Sequence, residues 1–257
     1  MDNIIDHFNR YFEMVPATSE ELKKEVYKLR YQVYCIENEF ENRELYPDKL
    51  EFDEFDQNSI HYLIRHLNSN DYAATVRLIL PDVNNPEKSF PLEQHCHIDN
   101  VAVMQPIIRE QLGEISRFCV SKAFKKRKNE ENTLATIDYH RQDYFTPNER
   151  RTFPHLSLAL MACVIKASYE NDIRYLYVVT EPSWIRCISA MGINLIQIGP
   201  QVDYHGERLP NVLKIADMLD GVAEKNLDIW NLLTNQGSIW QDRPMTQYSN
   251  HKVSAQY

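Results

Sequence analysis

Hydrophobic positions along the chain fall into two repeats. Leu22, Val26, Leu29, Val33 and Ile36 recur every three or four residues, which predicts a helix over 19–36. Thr18 and Glu21 stand where the N-cap and N3 residues of a capping box belong, and Tyr27, Tyr31 and Tyr34 add aromatic bulk. Residues 40–56 keep no period and are acidic, so they read as a loop. Two short β-rich runs, 60–66 and 72–80, flank a polar stretch at 68–71 and predict a hairpin. Residues 113–120 predict a third strand, whereas 92–103 fit neither repeat. Farther on, helices at 156–169 and 182–191 alternate with strands at 175–180 and 193–198. Pro182 opens the second of these helices and Gly192 closes it. Strands at 202–204 and 209–215 flank a hairpin turn, and 217–233 predict a last amphipathic helix.

This order predicts an α/β fold, a central mixed sheet with helices on both faces, without a Gly-rich phosphate loop of the Rossmann or P-loop kind. The polar stretch at about 125–154 reads as an irregular insertion, and the tail from 234 on as mobile. With 257 residues, 43% of them hydrophobic, the chain has enough apolar material for one domain over 1–233. A net charge of -9 argues against nucleic acid as the general partner. The five cysteines are odd in number and form no C-x-x-C pair, which favours a reducing compartment. The first residues lack a basic and an apolar signal region, and the apolar run 156–165 is too short for a bilayer, so the expectation is a cytoplasmic protein with no integral membrane segment.

The candidate chemistry lies in charges set within apolar sequence. Glu51, Asp53 and Asp56 close the acidic loop, Arg77 sits between Val76 and Leu78, and Glu114, Ser116 and Arg117 share the third strand. A charge that leaves water needs an opposite partner. The residues alone leave two readings open: a buried salt-bridge network, or a site that binds and deprotonates an amine. By itself, Arg30 reads as a solvated helix arginine. Strand alternation puts Glu114 and Ser116 on one face and Arg117 on the other, unless a bulge intervenes.

Taken in order, Arg30, Tyr34, Phe40, Glu51-x-Asp53-x-x-Asp56, Arg77-Leu78 and Glu114-x-Ser116-Arg117-Phe118 resemble the autoinducer synthase family. These are the acyl-homoserine-lactone synthases and their N-acyl amino acid synthase relatives. The insertion after the Ser-Arg-Phe strand is most similar to acyltransferases associated with PEP-CTERM/exosortase systems. The resemblance implies a GNAT-like fold, its sheet splayed at the middle to admit the pantetheine arm of an acyl donor. It implies transfer of a fatty acyl group from acyl carrier protein, or acyl-CoA, to an amine. No permanently bound cofactor is implied, the acyl-phosphopantetheine donor being a substrate.

Aminolysis of a thioester needs a neutral amine, hence a carboxylate that takes a proton from the ammonium. Glu114 is the expected base, with Ser116 beside it. Arg30, Tyr34, Phe40, Glu51, Asp53, Asp56, Arg77, Arg117 and Phe118 form the implied amine-binding shell, in which Arg117 fixes the carboxylates or grips an acceptor carboxylate. Phe40 stands where the lactone-making branch has tryptophan, and Tyr34 where it has phenylalanine. Both changes favour an amino acid or another amine over S-adenosylmethionine. The basic residues Lys122, Lys125, Lys126, Arg127 and Lys128 read either as a solvated face or as a dock for carrier protein. The pyrophosphate loop of coenzyme-A-binding relatives is absent, which tilts the donor towards carrier protein. A lactone synthase, or a binding protein of the same fold without chemistry, are the alternatives. His95-Cys96-His97 lacks zinc spacing, no Gly-x-Ser-x-Gly elbow occurs, and Cys119 reads as a small core residue.

Overall fold

The computed structural model describes residues 4–125, 149, 152, 155–204 and 206–240. They form two compact units, Met1–Ile79 with Ser116–Cys163 and Leu80–Ile115 with Val164–Tyr257. Most of the predicted insertion, and the tail beyond 240, lie outside the described residues.

The first unit opens with helix α1 (Ile4–Tyr11) and strand β1 (Phe12–Pro16), which the hydrophobic pattern did not announce. Strand β1 pairs antiparallel with β2 (Ser59–His66), and β2 with β3 (Tyr72–Ile79), giving the expected hairpin with a register shift at Ile64/Arg65. Helix α2 (Glu20–Arg30) starts one residue later than expected, because the side chain of Ser19, not Thr18, accepts the Leu22 N–H at 3.3 Å. It also ends sooner: beyond Arg30 the chain widens into a π-helix over Tyr31–Glu37. The cause lies downstream. The Val33 carbonyl accepts both the backbone N–H (3.2 Å) and the side-chain amide (2.7 Å) of Asn38, five residues on. The Tyr34 carbonyl accepts the N–H groups of Phe40 and Glu41, at 2.8 and 3.1 Å.

Val26, Leu29 and Val33 pack with Ala17, Leu63 and Cys119 in the core of this unit. Each buried Val or Leu side chain contributes about 1.5–3 kcal/mol. The acidic loop is held by 3-10 turns at Arg43–Leu45 and Glu54–Asn58. Asp53 caps the second turn: its Oδ1 accepts the Phe55 N–H at 2.9 Å, while Asp56 Oδ2 accepts the Asp53 N–H at 2.7 Å. The later part of β4 (Leu112–Val120) also lies here, followed by a Ser121 N–H that donates to the Ala73 carbonyl of β3 at 2.9 Å.

In the second unit, Leu112–Ile115 of β4 pair in parallel with β5 (Tyr175–Thr180). The pairing runs from Leu112 opposite Tyr175 to Ile115 opposite Val178. Strands β6 (Ile196–Gln197), β7 (Val202–Asp203) and β8 (Glu207–Lys214) follow, with β8 antiparallel to β5, β6 and β7. The strand expected over 193–198 thus shrinks to two residues. His205, in the expected turn, lies outside the described residues.

Short helices α3 (Pro91–His95) and α4 (Val101–Met104) occupy the stretch that fitted neither repeat, and the apolar helix α5 is Leu156–Glu170. Helix α6 (Pro182–Ser189) leads to Gly192 at φ 91°, where a Cβ would come 2.1 Å from the Gly221 carbonyl oxygen. The last helix is two, α7 (Ile215–Lys225) and α8 (Leu227–Leu233). Asn226 breaks it by accepting the Asp228 and Ile229 N–H groups at 3.0 and 3.2 Å as the N-cap of α8. No described helix is long and apolar enough to cross a membrane.

Candidate active site

Three arginines from three elements converge in the first unit. Arg30, from the last turn of α2, is fully buried; its Nε donates to Glu51 and its Nη1 to Asp56 at 2.6 Å. The solvated-helix reading of Arg30 is therefore corrected: the acidic loop folds back over the helix and supplies its partners. Arg77, from β3, donates from Nη1 to Asp53 at 2.5 Å and to Asp56 at 2.8 Å, and from Nε to Ser116 Oγ at 2.8 Å. Arg117, from β4, reaches Glu51 (3.1 and 2.9 Å), Glu41 (3.3 Å) and Asp53 (3.4 Å).

Regular alternation would turn Arg117 away from Ser116. Instead the Arg117 backbone adopts φ 48°, in the left-handed region, and both side chains join one network. That conformation costs on the order of 1–3 kcal/mol, and the three carboxylates on the guanidinium over-determine it. Glu41 belongs to the network although no motif marked it; its position one residue after Phe40 in the acidic loop was the available signal.

The electrostatics follow from the partners. Burial opposes ionisation of Glu51 and Asp56, but Arg30 beside both, together with Arg117 at Glu51 and Arg77 at Asp56, outweighs it and holds each carboxyl below its usual range. Burial also opposes the charges of Arg30 and Arg117, and Glu51, with Asp56 beside Arg30 and Asp53 beside Arg117, more than offsets it. His61 Nε2 lies 3.6 Å from Asp56 Oδ1. Burial pushes its pKa down to about 4, so it adds no positive charge at neutral pH. Among the described residues, four carboxylates, Glu41, Glu51, Asp53 and Asp56, thus meet the three guanidiniums.

The network opens toward one edge. Arg30 and Glu51 are sealed, whereas the side chains of Arg117, Glu41 and Asp53 are 15%, 21% and 27% exposed. The Arg117 guanidinium lies 5.2 Å from the Tyr34 ring centre, and Tyr34 lies 6.4 Å from the exposed ring of Phe40. Burial raises the Tyr34 phenol far above its usual value, keeping it neutral. Phe118, half-buried, follows on β4.

Glu114 has other company. It is buried in the second unit, where its Oε2 accepts the backbone N–H of Leu92 at 2.9 Å. Its register neighbour across the β4–β5 ladder is Tyr177. The Tyr177 hydroxyl donates to Glu93 Oε1 at 3.1 Å, and Arg109 grips both oxygens of Glu93. Sequence reasoning missed Glu93, Arg109 and Tyr177. Pro91 followed by Glu93, the N1 and N3 positions of α3, was a readable helix-start signal for the first of them.

The basic run divides. The Lys122 ammonium donates to the Glu37 carbonyl, and its N–H to Glu37 Oε2 at 2.9 Å, so this residue fastens the chain to the end of the π-helix. Lys125 is exposed; Lys126, Arg127 and Lys128 lie outside the described residues. The Cys119 thiol is pushed up to about 12 by burial, as suits a core residue rather than a nucleophile.

Residues 29–135 match the family model of the Acetyltransferase (GNAT) domain. Among solved structures, TofI in a ternary complex with an inhibitor and MTA is similar at 15% identity, with 82% of this chain and 95% of that chain covered and a TM-score of 0.54. BjaI, a CoA-dependent acyl-homoserine lactone synthase solved with SAM and isopentyl-CoA, matches at 14% identity, 88% of each chain and a TM-score of 0.52. The AHL synthase LasI matches at 16% identity, 82% of this chain and 96% of that chain, with a TM-score of 0.51. No curated protein sequence matches. Residues 29–135 thus resemble a GNAT domain, and the chain has the mixed α/β fold of these synthase structures.

Proposed function

We propose that the protein is an N-acyltransferase that moves a fatty acyl group from a thioester to the amine of an amino acid or similar acceptor, giving an N-acyl amide. The observation that carries this reading is the partly exposed edge of an otherwise sealed carboxylate–guanidinium network, where Asp53 and Glu41 lie with Arg117 beside the Tyr34 and Phe40 rings. An ammonium group is the ligand such an edge recognises: Asp53 and Glu41 offer it charge, and the aromatic pair offers it a π face. Arg30 and Arg77 hold the carboxylates in place from the buried side.

Glu114 is the proposed base, directly or through a water. Its Oε2 is held by the Leu92 N–H, so the orientation of the carboxylate is set before substrate arrives. Proton removal frees the nitrogen lone pair to attack the thioester carbon. The C–N bond forms, the C–S bond breaks, and the thiolate leaves with its electron pair and takes up the second proton that the nitrogen sheds as the amide forms. Ser116 Oγ accepts from Arg77 and keeps its own proton to donate to the developing oxyanion.

Acyl carrier protein is the proposed donor, with acyl-CoA second. The basic residues around Lys125 and the missing pyrophosphate loop support that order. Mass spectrometry of lipid extracts from cells overproducing the protein tests the whole reading, since a new amide mass reports acyl group and amine together. A lactone formed from S-adenosylmethionine, with methylthioadenosine released, would instead make it an acyl-homoserine-lactone synthase. No product from any acyl donor would leave a binding protein. Glu114→Gln should lower turnover by roughly 10²–10⁴; undiminished turnover removes Glu114 as the base.

A further inference from the structure

We infer that Arg109, at the surface before β4, is a positioning residue for Glu114. The inference rests on the proposal that Glu114 is the base. The connection is physical and short. Arg109 donates from Nη1 and Nη2 to the two oxygens of Glu93, and from Nη2 to the Lys88 carbonyl at 2.6 Å. Its guanidinium also lies 4.4 Å from the ring centre of Phe90. That ring packs edge-on against Tyr177, with centres 5.8 Å apart.

Glu93 therefore serves three donors. It takes the Arg109 fork, the Tyr177 hydroxyl at 3.1 Å, and through Oε2 the Phe90 N–H at 2.9 Å. The last of these bonds sets the first turn of α3, and the N–H inside that turn, Leu92, is the one aimed at Glu114. A five-residue helix has little cooperativity to hold its own shape. Its first turn is pinned from outside: Arg109 on one side, Tyr177 on the other, Glu93 between them. With that clamp loosened, the Leu92 N–H swings and the Glu114 carboxylate loses its fixed direction. Displacement of a catalytic group by about 1 Å can cost on the order of 100-fold in rate.

The test is a double-mutant cycle with kcat and KM measured separately, using a panel of amines and an acyl-thioester donor with thiol release as the signal. Arg109→Ala should lower kcat about 10–100-fold, while the KM for amine stays within about twofold because the amine-binding residues are untouched. In a Glu114→Gln background the same substitution should cost no further turnover, since the group it orients is already disabled. Arg109→Lys, which keeps a donor but loses the fork, should recover part of the loss. Tyr177→Phe removes one hydrogen bond from the clamp and should lower kcat about 3–10-fold; it carries the test if Arg109→Ala fails to fold.

An equal loss in both backgrounds, or parent kcat in Arg109→Ala and Tyr177→Phe, overturns the inference. Full activity of Glu114→Gln alone removes the base assignment instead, so the two failures are told apart.

Discussion

Replacing Arg30 by Met tests the buried network most directly. Methionine comes close to the aliphatic part of arginine in length and shape, so the perturbation is mainly loss of charge and donors. Two carboxylates lose a partner, Glu51 and Asp56. Breaking a buried ion pair costs about 3–5 kcal/mol, because the charge left behind is uncompensated. Here neither acid is stranded: Glu51 keeps Arg117 at 2.9 Å and Asp56 keeps Arg77 at 2.8 Å. The lower end, about 3 kcal/mol, is therefore expected. For a chain of this size that corresponds to a fall of about 6–12 °C in Tm. Thermal and urea melts at neutral pH measure it. Glu51→Gln in the Arg30→Met background removes the surplus charge while its amide oxygen still accepts from Arg117. The double variant should be at least about 1 kcal/mol more stable than the sum of the singles implies. A loss under about 0.5 kcal/mol for Arg30→Met, or strict additivity in the double variant, would refute the argument that these charges depend on each other.

Other outcomes follow from the same geometry. His61 is buried with its pKa near 4, below the ordinary 6.5, so the unfolded chain takes up the proton first as pH falls. Its contribution is whole above pH 6.5 and is lost between 6.5 and about 4, by about 3 kcal/mol; His61→Asn should flatten that limb in urea melts, and parallel limbs would contradict the burial argument. Asp53→Asn removes the most exposed carboxylate of the network and should raise the KM for the amine about 10-fold or more, with a smaller effect on kcat; steady-state kinetics read this, and an unchanged KM would move the amine elsewhere. Changing Lys125, Lys126 and Arg127 together to Ala should raise the KM for acyl carrier protein, and the parent's KM should rise with salt; an unchanged KM discards the dock.

Much of the architecture was legible in the chain. The hairpin, the β4 strand, α5, β5 and the start of α6 lie where period and punctuation place them. So does the ordered set of charges, since arginines inside strand-like runs demand buried acids. What the pattern mispredicted were terminations. Residues 31–36 keep a helical repeat but form a π-helix, because Asn38, Phe40 and Glu41 compete for the Val33 and Tyr34 carbonyls. The last helix breaks at Asn226, where a local side-chain cap outweighs an unbroken amphipathic stripe.

Residue types and their order determined that this chain would bury a carboxylate–guanidinium network, because no charge can leave water unpaired. Only the tertiary structure decided which atoms pair. The φ of 48° at Arg117 turns that side chain into the same network as Ser116, against strand alternation. Glu114, two residues earlier on the strand, is held instead by a backbone N–H of α3. A periodic pattern describes faces of regular elements. It does not encode a left-handed residue within a strand, or the clamp of Arg109, Glu93 and Tyr177, whose members meet through folding rather than through spacing.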